Sequence, residues 1–392
     1  MHGFGFHTLA LLTAVGFAGP LLAAVPRARI PVIIGELTAG LIIGRTGFGV
    51  VDDADPTFQL FANIGFALVM FVAGTHVPVR DPRLRSLAPR ALARAVVVGA
   101  AAAVLGVGLA AGFGTRHAAL YAVLMASSSA ALALPVIDSL RLQGPQVLSV
   151  TVQVAIADAA CIVLLPLAID LRRAPVAALG GLAIAVCAVV FFMLLRAVDR
   201  RGWRHRMHDY SQKHQLALEL RTNLLALFAL AALAASTHVS IMLAGFALGL
   251  VIALVGEPRR LARQLFGITE GFFSPLFFVW LGASLQVREL LSHPRLILLG
   301  VGLGLGAVLA HCAGRLLGQP LTLGVLSAAQ LGVPVAAATI GTQEHLLVAG
   351  EASALMFGAL LTIAATSIAG ALAARGQTAA KADQPAATDK SK

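Results

Sequence analysis

The sequence predicts an all-α polytopic membrane protein of about thirteen transmembrane helices, arranged as two inverted six-helix repeats. Composition is the first observation behind this: 58% of the 392 residues are apolar and 12% are charged, against about 25% charged in soluble domains. The apolar residues also gather in runs of roughly 20, the length that carries a helix across a bilayer core. Finally, no ten-residue alternation marks a barrel, and only helices and closed barrels satisfy their backbone in lipid. A soluble enzyme is excluded.

Apolar windows lie at 6–25, 30–44, 59–77, 91–113, 117–137, 147–170, 175–197, 217–235, 239–256, 267–286, 294–318, 321–342 and 351–374, numbered here as spans 1 to 13. An odd span between two sets of six suggests an inverted repeat. The expected organisation is a first repeat over 1–171, then a linking span 7 with a basic interfacial segment over 172–216. A second repeat covers 217–375, and 376–392 form a disordered cytoplasmic tail too poor in apolar residues to fold. The interfacial reading rests on 198–216, dense in Arg and His with one Trp and one Tyr, as suits anionic lipid.

Charge sets the orientation. No basic residue precedes span 1, and Arg27 and Arg29 follow it, the reverse of a cleaved signal peptide, so it is expected to be retained with its N-terminus outside. On that basis 23 of the 29 basic residues face the cytoplasm and six face outside, as the positive-inside rule requires. The C-terminus is then cytoplasmic and the location an inner (plasma) membrane. The net charge of +11 comes from Arg between apolar runs, with only four Lys; it reads as contact with the lipid bilayer, with no nucleic acid partner. Cys161, Cys187 and Cys312 stand alone in apolar segments, so no disulfide framework, cofactor or resident metal is expected.

The repeat has some support in the residues. Positions 36–44 resemble 245–253, with Gly40 falling on Gly249, and Phe71 to Gly74 resemble Val279 to Gly282. Span 5 carries Ser127, Ser128 and Ser129 and then Pro135; span 12 carries Gln330, Gly332 and Pro334. Proline removes a backbone donor and clashes with the preceding turn, so spans 5 and 12 are each expected to break near their prolines. Breaks are tolerated in lipid where the freed groups line a polar site.

Two acidic residues stand out inside apolar segments, Glu36 and Asp158. A mid-membrane Asp costs about 2.5–3.5 kcal/mol on insertion scales, so it generally faces a cavity and serves a function. Asp158 shares its span with no Arg or Lys. A carboxyl poised between protonated and ionised forms is what a site needs if protons and metal cations compete for it. Hydroxyls and carbonyls of Ser127, Ser128 and Ser129 supply the further oxygens a hard cation prefers, which makes Asp158 the expected ligand of a transported Na⁺ or K⁺. Glu36, in a glycine-rich helix, is open between an inter-helix bond and a transport role. Arg315, one turn from His311, is open between a site role and snorkelling.

These residues together resemble the monovalent cation:proton antiporter superfamily, in particular its Kef-like and Nap-like sodium or potassium/proton exchangers. The resemblance runs from Pro31 to Gly40, through Gly65, Met70, Phe71 and Gly74, then Ser127 to Ser129, Asp158, Phe272 to Gly282, and Gly332 to Pro334. It implies a core domain that carries the ion by an elevator-like motion against a dimerisation domain, in a homodimer with spans 5 and 12 crossing beside Asp158. Three departures stand out. Ala157 replaces the second carboxylate of electrogenic relatives, no Lys lies in span 10, and near the span 12 break there are only Gln330 and Thr339. The expected function is therefore a non-enzymatic antiporter exchanging Na⁺ or K⁺ for H⁺, electroneutrally. The alternatives are a gated cation channel or uniporter on the same fold, or a transport-inactive membrane subunit.

Overall fold

Every regular element among the described residues of the computed structural model is helical, and helices coincide with all thirteen apolar windows. The structure describes residues 4–24, 32–75, 77, 79–80, 84–169, 174–201, 210–211, 213–214, 216–237, 239–256, 259–285, 287–343, 346–348 and 350–382. The first half comprises α1 (Phe6–Gly16), α2 (Ala18–Ala23), α3 (Val32–Ile43), α4 (Pro56–Thr75), α5 (Leu84–Phe113), α6 (Ala118–Ala126), α7 (Ala130–Ser139) and α8 (Pro145–Ile169). Span 7 is α9 (Ala174–Arg200). The second half comprises α10 (Leu218–Ser236), α11 (Ile241–Val255), α12 (Arg259–Ile268), α13 (Ser274–Ser284), α14 (Val287–Ser292), α15 (Pro294–Cys312), α16 (Leu321–Ser327), α17 (Gly332–Gln343) and α18 (Glu351–Ala382). A π-helical turn, Thr269–Phe273, joins α12 to α13, and a 3₁₀ turn, Ala313–Leu317, follows α15.

Eleven of the helical stretches are long and apolar enough to cross a membrane, so the chain is a multi-pass helical membrane protein. The lipid-facing side is plain on α9, where Leu179, Leu182, Val186, Val190 and Met193 form an exposed apolar stripe at helical spacing. Spans 2 and 9 are shorter, at 12 and 15 residues. Their glycines bring neighbouring backbones close. A Cβ at Gly40 on α3 would strike the Val279 carbonyl of α13, and one at Gly282 on α13 would strike the Leu37 carbonyl of α3. The same reciprocity joins spans 3 and 9: Gly74 meets the Phe246 carbonyl, and Gly249 meets the Phe71 carbonyl. Small residues let backbones approach in lipid, where no hydrophobic force drives helices together.

Hydrogen bonds between spans fall into two sets. In one, Thr46 Oγ1 donates to the Leu285 carbonyl, Trp280 Nε1 donates to Asp53 O at 3.0 Å, and Arg80 Nη2 donates to Leu254 O at 2.8 Å. These link spans 2, 3, 9 and 10. In the other, Arg94 is only 3% exposed and donates to Ser149 Oγ at 3.1 Å and Leu317 O at 3.2 Å. Tyr121 OH and His117 Nδ1 both meet Glu351 Oε1, at 2.6 and 2.7 Å, and Gln377 Nε2 donates to Gln143 O at 2.8 Å. This second set joins spans 4, 5, 6, 11 and 13.

Several expectations need correction. Pro135 does not break its helix: it lies inside α7, as Pro89 lies inside α5 and Pro166 inside α8. Pro334 is the third residue of α17, where its missing N–H is one that no helical carbonyl would have met. The tail is not wholly disordered, because α18 continues through 376–382; residues 383–392 lie outside the described residues, as do 202–209 of the interfacial segment and Arg27, Arg29 and Pro31. α5 begins at Leu84, ahead of the 91–113 window, and carries both Arg90 and Arg94.

Two predictions follow from this packing. Gly40→Leu or Gly249→Leu forces overpacking against backbone, which costs about 1–3 kcal/mol or more, and should lower the thermal midpoint of the detergent-solubilised protein. Gly108→Leu, where an added Cβ meets nothing within 4 Å, should leave it unchanged; equal midpoints for all three would refute backbone approach as the determinant. Separately, the hydrogen bond to Glu351 raises His117 above its ordinary value of 6.5. A folded value above the unfolded one gives stabilisation that is full below about pH 6.5 and lost as pH rises through the raised value. Melting curves between pH 5.5 and 9 should show wild type losing ground relative to His117→Gln as pH increases, and parallel curves would contradict the tie.

Candidate functional site

Span 5 stops being helical at Ala126. Ser127 (φ −70°, ψ 144°) and Ser129 (φ −118°, ψ 111°) are extended, and α7 starts at Ala130. In span 12 the helix stops at Ser327, and residues 328–331 separate it from α17. A helix end leaves carbonyls without partners, and a helix start leaves N–H groups without them. In lipid these must be met by protein.

The two stops meet each other's needs. Ser128 Oγ of span 5 donates to Ser327 O of span 12 at 2.7 Å, and Gln330 Nε2 of span 12 donates to Leu124 O of span 5 at 2.6 Å. Leu124 O also receives the Ser127 N–H at 3.0 Å and its hydroxyl at 2.7 Å. Span 13 closes the far side: Thr362 Oγ1 accepts from Gln330 N at 3.1 Å, and Thr366 Oγ1 reaches Leu326 O at 3.4 Å.

Asp158, on α8, is 1% exposed, and its Oδ2 accepts the Ala130 N–H at 2.8 Å. That N–H is the first of α7, so the carboxylate sits at the positive end of a helix of ten residues. Among the described residues Asp158 forms no salt bridge. Its known partner is a neutral donor, and neutral oxygen acceptors of the interrupted segment follow within a few residues of Ala130. Such a set suits a hard monovalent cation or a proton.

The expected site residues separate into three groups. Ser127, Ser128, Ser129 and Gln330 are all buried at the interruptions. Among the described residues no hydrogen bond joins the serine hydroxyls to Asp158; those of Ser127 and Ser128 are turned to carbonyls. Glu36 is elsewhere, 2% exposed with Oε2 lacking a partner, in the wall of a cavity of about 1070 Å³. Pro135 lines the same cavity, while Pro334 is buried in α17. Arg315 is exposed in the 3₁₀ turn after α15, which agrees with snorkelling, the second of its two readings.

The cavity is lined by spans 1, 2, 3 and 10 and by spans 5 and 13. Its wall includes Ala131, next in sequence to the residue that Asp158 binds, and it extends to Asp138, Arg141 and Gln377. Sequence reasoning missed Glu270, which lines it from the π-helical turn. The signal was available, since Glu270 falls inside the tenth apolar window. Gln153 was missed as well; it is 1% exposed on α8, and its Oε1 has no partner.

Comparison with known proteins agrees with the fold. The chain is 25% identical over 379 residues to the putative Na⁺/H⁺ antiporter YjbQ of Bacillus subtilis, covering 91% of this chain and 60% of that protein. It is 27% identical to the Na⁺/H⁺ antiporter NhaS5 of Synechocystis, over 81% of this chain and 47% of that one. The chain thus spans about half to three-fifths of these relatives' length. The glutathione-regulated potassium-efflux protein KefC of Klebsiella pneumoniae is also 27% identical, over 80% of this chain and 51% of its own. The sodium proton antiporter MjNhaP1 of Methanocaldococcus jannaschii shares the fold, with a TM-score of 0.67 at 18% identity over 96% of this chain and 97% of that one. The pattern of the sodium/hydrogen exchanger transmembrane family matches residues 11–374, and the chain belongs to that family of transporters.

Proposed function

We propose that the protein is a secondary-active antiporter that exchanges Na⁺ or K⁺ for H⁺ at Asp158, one for one, by an elevator-like motion. The observation that carries the proposal is the placement of Asp158: a fully buried carboxylate, held at a helix N-terminus and, among the described residues, in no salt bridge, with Ala131 of a large cavity's wall next to the residue it binds. Proton and cation compete for such a group because either one neutralises it. The relatives named for Na⁺/H⁺ exchange and for K⁺ efflux support a monovalent cation as the counter-substrate.

The inverted repeat is part of this reading. A two-fold relation that maps span 2 onto span 9 and span 3 onto span 10 converts the 2–10 contact into the 9–3 contact. Gly40 with Gly282 and Gly74 with Gly249 are paired in that way. The same relation maps the crossing of spans 5 and 12 onto itself, in line with the exchange of Ser128 and Gln330 hydrogen bonds. The two sets of inter-span hydrogen bonds support an elevator, with spans 4, 5, 6, 11, 12 and 13 as the moving core. The distribution of basic residues supports placing Arg141 and Gln377 on the cytoplasmic side, so the cavity between the groups is the inward-facing access path. Its carboxylates, Glu36, Asp138 and Glu270, favour entry of cations.

Two measurements test the proposal. Asp158→Asn keeps the shape and can still accept the Ala130 N–H, so it should retain the wild-type melting midpoint while cation-driven pH change in reconstituted vesicles falls to the background of empty vesicles. Wild-type rates in this variant would remove Asp158 from the mechanism. One carboxylate holding one H⁺ or one Na⁺ or K⁺ carries the same charge in both loaded states, so no net charge moves. With vesicle potential clamped by valinomycin and Na⁺ as driven ion, the rate should not change with voltage. A dependence approaching the roughly 2.3 kcal/mol per 100 mV of one moving charge would exclude one-for-one exchange.

A further inference from the structure

Glu36 lies on α3, in span 2, and is 2% exposed. Among the described residues it forms no salt bridge, and its Oε2 has no hydrogen-bond partner. A carboxylate left unmet in a dry interior is expensive, so a group placed this way normally has something to bind. Its stem is fixed in place: a Cβ at Gly19 would come within 2.8 Å of Glu36 Cγ, so α2 closes on the side chain. The carboxylate is thereby held in the wall of the cavity of about 1070 Å³. Glu270 lines the same cavity from the π-helical turn, where it is exposed, and its charge acts on Glu36. Such π turns are rare and gather at functional sites. Two carboxylates therefore come together in one cavity wall, where spans 2 and 10 adjoin.

We propose that Glu36 and Glu270 together bind a hydrated divalent cation of the Mg²⁺ class in the cavity wall, at a site separate from Asp158. Charge selects the class. A monovalent cation would neutralise one carboxylate and leave the other, whereas a divalent cation neutralises both. The ligand count selects within the class. Among the described residues no three His, Cys, Asp or Glu side chains gather to hold a metal, so water fills most of the coordination shell. Mg²⁺ takes that arrangement, keeping several waters on one or two carboxylates, while Ca²⁺ takes six to eight oxygens. Six waters occupy roughly 180 Å³ at about 30 Å³ each, well within the cavity. Spans 2 and 10 stand outside the moving core proposed above, so the ion stays behind and adds nothing to the exchanged charge. With the carboxylates neutralised, the wall no longer draws Na⁺ toward Asp158. This effect on transport rests on the exchange reading; the site itself does not.

The test needs no transport. Mn²⁺, whose free form gives a paramagnetic resonance signal that is lost on binding, is titrated into the detergent-solubilised protein at neutral pH. Wild type should bind one Mn²⁺ per chain with a dissociation constant of about 10⁻⁴–10⁻³ M, the weak end of the range for oxygen sites. Mg²⁺ should displace it, and Na⁺ at equal ionic strength should not. Glu36→Gln and Glu270→Gln should each weaken binding at least about tenfold, while Asp158→Asn should leave it unchanged. If one Gln variant fails to fold, the other decides. Absent binding in wild type would mean that the two carboxylates share a proton instead, and it overturns the proposal. Binding that survives both Gln substitutions belongs to an adventitious carboxylate and also overturns it. Loss of binding in Asp158→Asn would place the ion at the transport site, with the same result. In vesicles, Mg²⁺ at the cytoplasmic face should raise the apparent KM for Na⁺ in wild type, with kcat unchanged, and should not do so in Glu36→Gln. Mn²⁺ binding that is lost in the Gln variants, together with absent exchange in wild type, would overturn only the antiporter reading.

Discussion

The structure depends on one constraint: a helix that ends inside lipid leaves backbone groups that no water can serve. Each such group costs several kcal/mol if unmet. Four half-helix ends lie inside the bundle here, and side chains from neighbouring spans answer them. Gln330 takes the Leu124 carbonyl, Ser128 takes the Ser327 carbonyl, and Asp158 takes the Ala130 N–H. A carboxylate that would otherwise be an expensive buried charge is thereby part of the solution. Satisfying the backbone and building the proposed cation site use the same atoms.

The rest of the bundle is arranged so that these ends can meet. Glycines at 40, 74, 249 and 282 bring spans 2, 3, 9 and 10 into backbone contact, which gives a densely packed wall from short helices. The crossing packs on the far side of the cavity among spans 4, 6, 11 and 13, with Tyr121, Met125, Leu303 and Leu326 in one buried cluster. Close packing of small residues makes the first group stiff, and polar cross-links make the second group stiff. Stiffness by two different means leaves the surface between them as the softer place.

Much of this was legible in the sequence. Run length and the scarcity of charge located all thirteen helices, and isolation in an apolar span singled out Asp158. The likeness of the segments around Gly40 and Gly249 fell on two helices that each approach a neighbouring backbone through that glycine. The interruptions were less legible, because proline is a poor marker where neighbouring groups take over its missing hydrogen bond. Pro89, Pro135 and Pro166 all ride inside helices, while the residues that do leave the helix, Ser127 to Ser129 and 328–331, include no proline. What stops those helices is the availability of a partner 200 residues away for each freed carbonyl, and no local pattern records that. Arg315 was open in the sequence between a site role and snorkelling, and the 3₁₀ turn after α15 carries it to the surface, in keeping with the second. Glu270 was lost because it sits at the margin of its window, and the π-helical turn that directs it to the cavity has no sequence signature.

The nature of the seam bears on how such a molecule can move. A neutral hydrogen bond is worth about 0.5–1.5 kcal/mol net in a folded protein, but leaving a partner unmet in a dry interior costs more than that. Moving spans 5 and 12 apart would strand the Ser327 carbonyl and the Gln330 side-chain N–H group, so the crossing should travel as a unit. The cavity wall is different. Val69, Val72, Ala73 and Phe278 face Ala131, Leu134 and Val136, and apolar contacts of this kind are exchanged for similar ones when surfaces slide. Lipid adds no hydrophobic penalty to that exchange, since acyl chains are as apolar as the side chains they replace. Apolar contacts across the cavity, beside hydrogen bonds inside each group, suit the sliding motion proposed above. In that proposal an empty Asp158 carboxylate would carry a desolvation penalty on sliding, and a bound cation or proton would remove it.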